Sequence, residues 1–373
     1  MNGKKRSFGW SSGAVAGHPL LIPYSPKPSS IVILYSKGTN IYPFIGDCPV
    51  SIFDGKIILI TGGTGSFGRR FSEVVLAGSN PRSIRIFSRG ELLQMEMRNQ
   101  LTDNRLRFLI GDVRDRQRIN RAMNRVDIVV HAAALKQVPT CEYNPIEAVR
   151  TNIDGSINII DAAIDNGVEK VMAISTDKAV HPVNLYGATK MVAERLFTQG
   201  NAYTGGRRTK FSCVRYGNVV GSRGSVIPLF REQVKSGEIT ITDKKMTRFW
   251  ITLDQGVKFV IRCLEMMNGG ETYVPKIPSM KVTDLAAAVA PDVPVRIIGI
   301  RPGEKIHEIL ITEDESRRAR EFDDFYVIQP ELAFWKEEDL PGGRRLPEGF
   351  RYSSDANTQW LTGKDLQNII REG

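Results

Sequence analysis

The sequence is poor in the residues that build metal and disulfide sites. Its 373 residues include 4 cysteines and 4 histidines. Cys48, Cys141, Cys213 and Cys263 stand far apart, with no Cys-x-x-Cys pair, and His18, His131, His181 and His307 are equally scattered. Zinc ligands come at short paired spacings and small disulfide scaffolds are dense in cysteine, so neither framework is expected. Dispersed thiols suit a reducing compartment, and a cytoplasmic location is the expectation. Long hydrophobic runs are missing too: nowhere do about 18 apolar residues follow one another, so no membrane span is expected. Lys4, Lys5 and Arg6 precede an uncharged stretch from Ser7 to Tyr24, the outline of a secretory signal. Ser11, Ser12, Gly13, Gly17, Pro19 and Pro23 interrupt what would have to be a continuous apolar core.

The charge is not balanced. Lys and Arg number 51 against 41 Asp and Glu, a net +10. Such an excess suits nucleic acid, an acidic membrane or a phosphorylated small molecule. Part of it lies in residues 1–51, where Lys4, Lys5, Arg6, Lys27 and Lys37 face only Asp47. That stretch is rich in Gly, Ser and Pro and reads as a flexible N-terminal extension, with 30–35 as a short strand. No helix-turn-helix or RNA-binding signature accompanies the charge, so neither nucleic acid nor a membrane is expected as partner.

From Lys56 onward strands and helices alternate. Residues 56–60, 83–87, 107–110, 127–131, 170–174 and 210–215 read as strands. Residues 69–77, 91–101, 116–124, 146–166 and 186–203 read as helices. In 146–166 the apolar face is expected along Val149, Ile153, Ile157, Ile160 and Ile164. Repeated βαβ units imply an α/β fold, a Rossmann-type doubly wound parallel sheet. The pattern loosens after residue 216. The expected division is a dinucleotide-binding domain over 52–215, to which 241–275 returns. A smaller interleaved substrate region covers 216–240 and 276–350, and 351–373 forms a tail.

The first strand runs into Thr61-Gly-Gly-Thr-Gly-Ser-Phe-Gly68. A sharp turn, a close approach to pyrophosphate and a tightly packed helix each require glycine, and Gly63, Gly65 and Gly68 meet the G-x-G-x-x-G spacing. Gly62, Thr64, Gly65, Ser66, Phe67 and Gly68 are therefore candidate dinucleotide contacts, with the helix N-terminus toward the phosphates. The second strand ends in Ser88-Arg89, where NAD binders carry an acidic residue. A guanidinium there suits a 2′-phosphate, so NADP(H) is expected, with NAD as the alternative. Asp112 and Val113 after the third strand, and Ala132 and Lys136 after the fourth, reach the same crevice.

Tyr186 and Lys190 lie four apart at the start of a helix, on one face. A nearby ammonium lowers a tyrosine's proton affinity, so the pair suits removal of a proton from a substrate hydroxyl. Thr176, Asp177 and Lys178 end the fifth strand, where an acid and an amine meet the ligand crevice.

These segments, with Ala133–Pro139, Arg215–Gly224, Met246–Thr252 and Arg301–Lys305, resemble the extended short-chain dehydrogenase/reductase superfamily. Within it, residues 53–331 are similar to the inverting UDP-N-acetylglucosamine 4,6-dehydratases that begin pseudaminic acid synthesis. Retaining relatives typically carry Asp-Glu where Asp177-Lys178 stands. Large membrane-bound relatives, and some soluble dehydratase-epimerases, carry Met in place of Tyr186. Gly90 stands where relatives usually have Asp. The resemblance implies a hydro-lyase in which Tyr186 and Lys190 act at the 4-hydroxyl, Lys178 takes the proton on C5, Asp177 protonates the leaving 6-hydroxyl, and Thr176 positions the 4-oxygen. It also implies Lys136, Asn218, Arg223, Arg248, Arg301 and Glu304 as UDP-sugar contacts, and a homo-oligomer, dimer or hexamer. The rival readings are a UDP-sugar 4-epimerase or reductase on the same fold and a dinucleotide-sensing regulator.

Overall fold

Short aliphatic runs between glycine turns form the strands of one large sheet. In the computed structural model, which describes residues 51–220, 226–331 and 342–372, β1 (Ile57–Thr61) is buried throughout and leads into α1 (Ser66–Gly78). Then follow β2 (Ser83–Ser88), α2 (Glu91–Gln100), β3 (Leu106–Ile110), α3 (Arg116–Met123) and β4 (Ile128–His131). Helices α4 (Val138–Tyr143), α5 (Pro145–Val149) and α6 (Gly155–Asn166) lead to β5 (Lys170–Thr176), α7 (Leu185–Gly200) and β6 (Lys210–Tyr216). These strands pair in parallel in the order β3-β2-β1-β4-β5-β6. Strand order reverses between β1 and β4, and a crevice opens beyond their C-terminal ends. The doubly wound α/β reading holds. The expected strand at 30–35 and the expected extension, apart from Ser51, lie outside the described residues.

The helix expected over 146–166 is interrupted. Residues Arg150–Asp154 form a π-helical turn between α5 and α6. Asn152, 2% exposed, pins this turn: its side chain accepts from Leu135 N at 2.8 Å and donates to Leu135 O at 2.9 Å. A wider turn shifts the phase of the helix faces. Val149 and Ile157 consequently face outward, at 36% and 40% exposure, and the buried face of α6 is Ile159, Ile160, Ala162 and Ala163. The apolar stripe expected through Val149 and Ile157 is corrected accordingly.

Beyond β6 the chain weaves between bodies. It forms β7 (Asn218–Val219), α8 (Val226–Lys235), β8 (Ile239–Ile241), β9 (Thr247–Ile251), α9 (Leu253–Met266), β10 (Thr272–Pro275), β11 (Ser279–Lys281), α10 (Val282–Val289) and β12 (Val295–Ile297). Then come β13 (Ile309–Ile311), α11 (Glu313–Ser316), β14 (Ala319–Glu321), β15 (Phe325–Ile328), β16 (Arg344–Arg345), β17 (Tyr352–Ser353) and α12 (Gly363–Glu372). β10 joins the main sheet beside β6, and β15, β14 and β16 extend it in antiparallel pairs. Not all of the stretch 276–350 therefore stands apart from that sheet. A reciprocal Thr252–Gln255 cap starts α9, whose Val257, Val260 and Ile261 pack with Ile58, Ile60 and Met172 on one sheet face. On the other face Leu59, Val129 and Val171 pack with Ile159, Ala163 and Phe197. A third cluster gathers Phe230, Trp250, Met280 and Leu285, and Leu366 of α12 is fully buried within it. The segment read as a tail is thus folded onto this cluster, because Leu361 and Leu366 supply it with apolar surface.

One buried ionic group fixes the strand ends at the crevice. Arg215 on β6, 3% exposed, pairs with Glu194 of α7 and with Glu315 of α11 at 2.9 Å. Ser175 Oγ donates to Glu194 at 2.6 Å. The C-terminal end of β5 is thereby tied to α7, the helix that carries Tyr186 and Lys190.

Candidate active site

The glycine loop has the shape its sequence requires. Gly62 adopts φ +66°, and a Cβ there would lie 2.9 Å from the main chain of Ala132. At Gly68 a Cβ would meet Gly63 Cα at 2.5 Å, so α1 packs on the loop as only glycine permits. Gly65 caps α1 without a side-chain bond, and no acidic residue occupies the first turn. The free N–H groups of that turn therefore face the crevice as an anion seat. This cradle fits a dinucleotide pyrophosphate. Gly62, Thr64, Gly65, Ser66 and Phe67 line a cleft of about 890 Å³.

The same cleft gathers most of the other expected residues. Ser88, Arg89, Asp112, Val113 and Ala132 line it, as do Lys136, Thr176, Lys178, Tyr186, Lys190 and Asn218. Arg89 is 56% exposed on its side chain and stands 3.8 Å from Asp112. Asp112 also holds Arg114 at 2.7 Å and accepts from its main-chain N–H, so it serves the loop before α3 as well as the cleft.

Not every expected residue lines the cleft. Gly68 packs on Gly63, and Asp177 is fully buried. Arg248 donates to the carbonyls of Thr247 at 2.7 Å, Lys305 at 3.0 Å and Ile306 at 3.1 Å. Its guanidinium, expected on a pyrophosphate, is largely claimed by main chain. Arg301 is 52% exposed and stands 3.8 Å from Glu304. Glu304, expected on a ribose, accepts from Thr242 Oγ1 at 2.8 Å. Arg223 lies outside the described residues.

The acid and the amine are in contact. Lys178 Nζ donates to Asp177 Oδ1 at 3.1 Å, and Thr176 Oγ1 donates to the same oxygen at 2.9 Å. Asp177 Oδ2 is buried with no hydrogen-bond partner. Burial raises the Asp177 carboxyl above the usual range, with Glu308 adding to the effect against Lys178. Burial alone would lower the Lys178 ammonium, but Asp177 and Glu308 outweigh it and hold the amine protonated.

Tyr186 differs from expectation. Burial pushes its phenol up to about 12, against the lowering effect of Lys178 and of the Thr176 hydrogen bond. Lys190 does not reverse this. Its Nζ donates to Ile174 O at 2.7 Å, and burial lowers its own proton affinity. Tyr186 is therefore a neutral phenol, and Lys178 is the cation that acts to lower it.

Sequence reading missed three contributors. Thr151 in the π turn and Trp250 on β9 line the cleft, and Thr151 Oγ1 and Trp250 Nε1 are buried without a partner, as is Asn218 Oδ1. Glu308, 2% exposed, touches Lys178. Trp250 sits inside the Met246–Thr252 segment and Glu308 three residues past Lys305, so position offered a signal, but nothing local marked either side chain. Among the described residues no group of three or more His, Cys, Asp or Glu is placed to hold a metal ion, and no helix is long and apolar enough to cross a membrane.

A doubly wound sheet, a glycine cradle and a Tyr-x-x-x-Lys helix in one cleft define a dinucleotide-binding protein of the short-chain dehydrogenase/reductase type. Residues 58–330 match the family model described as polysaccharide biosynthesis protein, and the chain belongs to that family. It is 52% identical over 328 residues to a UDP-N-acetylglucosamine 4,6-dehydratase (inverting) of Campylobacter jejuni subsp. jejuni, a match covering 86% of this chain and 98% of that protein. It is 44% identical over 287 residues to a UDP-glucose 4-epimerase of Rickettsia canadensis, covering 74% and 84% of the two chains. Among solved structures, Pen from Bacillus thuringiensis aligns with a TM-score of 0.80 at 40% identity, covering 86% of this chain and 98% of that one.

Proposed function

We propose that this chain is an inverting UDP-N-acetylglucosamine 4,6-dehydratase, a hydro-lyase that carries NADP(H) and opens the synthesis of pseudaminic acid or a related surface sugar. One observation carries the reading: an acid and an amine in contact, Asp177 and Lys178 at 3.1 Å, stand at the strand end beside Tyr186. A 4-epimerase or a 4-reductase needs the tyrosine and the lysine of α7 but has no use for a second acid–base pair.

A dinucleotide held by the glycine cradle would supply the hydride chemistry, oxidation at C4 and reduction at C6. Its phosphates would rest on Gly62, Gly65 and Ser66, with Arg89 at the 2′-phosphate. Tyr186 takes the proton of the 4-hydroxyl; the positive charge of an oxidised dinucleotide held in the cleft would offset the burial that holds its phenol up. The 4-ketone acidifies C5–H. Lys178 removes that proton after passing its own along the 3.1 Å contact to Asp177. Asp177 then protonates the departing 6-hydroxyl as water. C5 regains a proton on the opposite face, which inverts it. Thr176 positions the 4-oxygen, and Lys136 and Asn218, which line the cleft, are the contacts assigned to the sugar. Arg301, Glu304 and Arg248 are carried as nucleotide contacts that form on substrate binding.

The protein is expected in the cytoplasm as a homo-oligomer. Tyr143 and Ile146, at 88% and 65% exposure, support the latter by leaving apolar surface open. The test is product identity. Purified protein given UDP-N-acetylglucosamine in D2O, without added cofactor, is expected to yield a 4-keto-6-deoxy sugar with deuterium at an inverted C5. A 4-epimer formed without loss of water would establish the epimerase instead.

A further inference from the structure

Glu308 is a buried carboxylate with three cations around it. It precedes β13 and is 2% exposed. Its Oε1 lies 3.4 Å from Lys178 Nζ and 3.7 Å from Arg248 Nε, and its Oε2 lies 3.5 Å from Lys305 Nζ. Oε2 has no hydrogen-bond partner. Its main chain is tied on both sides: Glu308 N donates to Ser354 Oγ at 2.9 Å, and Ser354 N donates to Glu308 O at 2.8 Å.

The three cations are not equivalent. Arg248 is bound to main-chain carbonyls of residues 247, 305 and 306, and Lys305 Nζ donates to Val180 O at 2.6 Å. Both are held by the fold. Of the three, only Lys178 lines the cleft, and its side chain keeps 25% exposure. A buried carboxylate this close to an amine that lines the cleft does two things. It fixes the direction of the side chain, and it favours the charged form of the amine.

We propose that Glu308 is a positioning residue for the dehydration step: it aims the Lys178 amine at C5 and stabilises the ammonium formed when that amine takes the C5 proton. The inference rests on the dehydratase reading above. In the step itself the C5–H bond breaks, the proton goes to Lys178 Nζ, and the electron pair delocalises into the C4 carbonyl as an enolate. Positive charge thus appears on a nitrogen 3.4 Å from Glu308 Oε1 as negative charge appears on the sugar. A carboxylate that orients a base and compensates the cation made on it serves in the way Asp serves His in hydrolytic triads. The groups facing the pair are Asp177, Arg248, Lys305, Tyr186 and Lys136.

The test compares wild type, Glu308→Gln and Glu308→Asp in full-length protein. Wild type is assayed first for the 4-keto-6-deoxy product, so failure of the dehydratase reading shows before any variant is made. For Glu308→Gln, kcat is expected to fall about tenfold to a hundredfold, part of the ~100- to 10,000-fold a positioned base supplies. KM should stay within about twofold. Removing the negative charge lowers the proton affinity of the Asp177–Lys178 pair, so both limbs of the kcat–pH profile should move to lower pH. Glu308→Asp should recover part of kcat and the original limbs. A Glu308→Gln enzyme with wild-type kcat and unmoved limbs overturns the proposal, as does one whose loss lies wholly in KM. Should Glu308→Gln not fold, Glu308→Asp carries the test, because it draws the carboxylate back from Lys178 while keeping its charge. A several-fold fall in kcat at constant KM supports the proposal, and an unchanged kcat rejects it.

Discussion

A Cβ placed on Gly187 would stand 2.2 Å from the carbonyl oxygen of Lys178. The first turn of the helix that carries Tyr186 and Lys190 therefore rests directly on the main chain of the residue assigned to C5. Gly187→Ala must push the two apart. It is expected to cost about 1–3 kcal/mol of stability as an overpacking change. Turnover should fall at least about tenfold, since small displacements of positioned groups are expensive in rate. Dinucleotide affinity should hold, because the glycine cradle belongs to a different element. Titration of the dinucleotide beside steady-state kinetics checks both halves, and an unaltered kcat would refute the coupling.

His131 gives a pH prediction with a definite sign. It is 2% exposed at the end of β4 and shares a 2.8 Å hydrogen bond with Thr61 Oγ1, which also accepts from Ala133 N at 3.3 Å. Burial, helped by the charge of Lys190, holds its pKa at about 3 instead of the ordinary 6.5. The unfolded chain therefore takes up a proton that the folded chain refuses. Stability from this group is complete above pH 6.5 and is lost as pH falls toward 3. Urea denaturation between pH 7 and pH 4 is expected to show wild type losing stability with a steeper slope than His131→Gln, by roughly 1.4 kcal/mol per pH unit within that window. Parallel slopes would show that the imidazole does not contribute.

The features that sequence made legible are local ones. The turn of Gly62–Gly68 and the spacing of Tyr186 and Lys190 are written in neighbouring residues, and the strand–helix alternation carried the sheet. What stayed hidden depends on segments far apart in the chain. Glu308 meets Lys178 across a separation of 130 residues, and no local pattern marks such a contact. The proton affinity of Tyr186 follows burial, a tertiary property that a four-residue spacing does not report. The outward face of Ile157 follows from one extra residue in a π turn, which Asn152 holds through bonds to Leu135. Arg248 is expected from sequence on the substrate's pyrophosphate, and the carbonyls of Lys305 and Ile306 that engage it come from another loop.

Cofactor preference is expected to turn on Arg89. Its side chain is 56% exposed and lines the cleft, with Asp112 at 3.8 Å as its ion partner. An Arg held this loosely is free to turn to a 2′-phosphate, where charge-assisted bonds are worth about 1.5–3 kcal/mol. Arg89→Ala is expected to weaken NADP binding roughly tenfold to a hundredfold while NAD affinity changes little. Calorimetric titration with each dinucleotide measures the ratio. Equal losses for both, or none, would favour the NAD alternative.

The last prediction concerns how the sugar is chosen. Asn218 on β7 and Trp250 on β9 are register partners in parallel strands, so their side chains project to the same side. Both line the cleft, and each presents a buried polar atom without a partner, the acceptor Asn218 Oδ1 and the donor Trp250 Nε1. Unsatisfied buried groups of this kind cost free energy unless a ligand completes them. One acceptor beside one donor is the complement of a secondary amide, which offers one N–H and one carbonyl. The 2-acetamido group of UDP-N-acetylglucosamine has that pattern, and the 2-hydroxyl of UDP-glucose does not span it. Trp250→Phe removes the donor and keeps most of the ring. It should lower kcat/KM for UDP-N-acetylglucosamine about tenfold, the value of one lost hydrogen bond, and leave UDP-glucose nearly untouched. The ratio of the two substrates is the measurement, because a purely packing role for the indole would depress both alike and leave that ratio where it was.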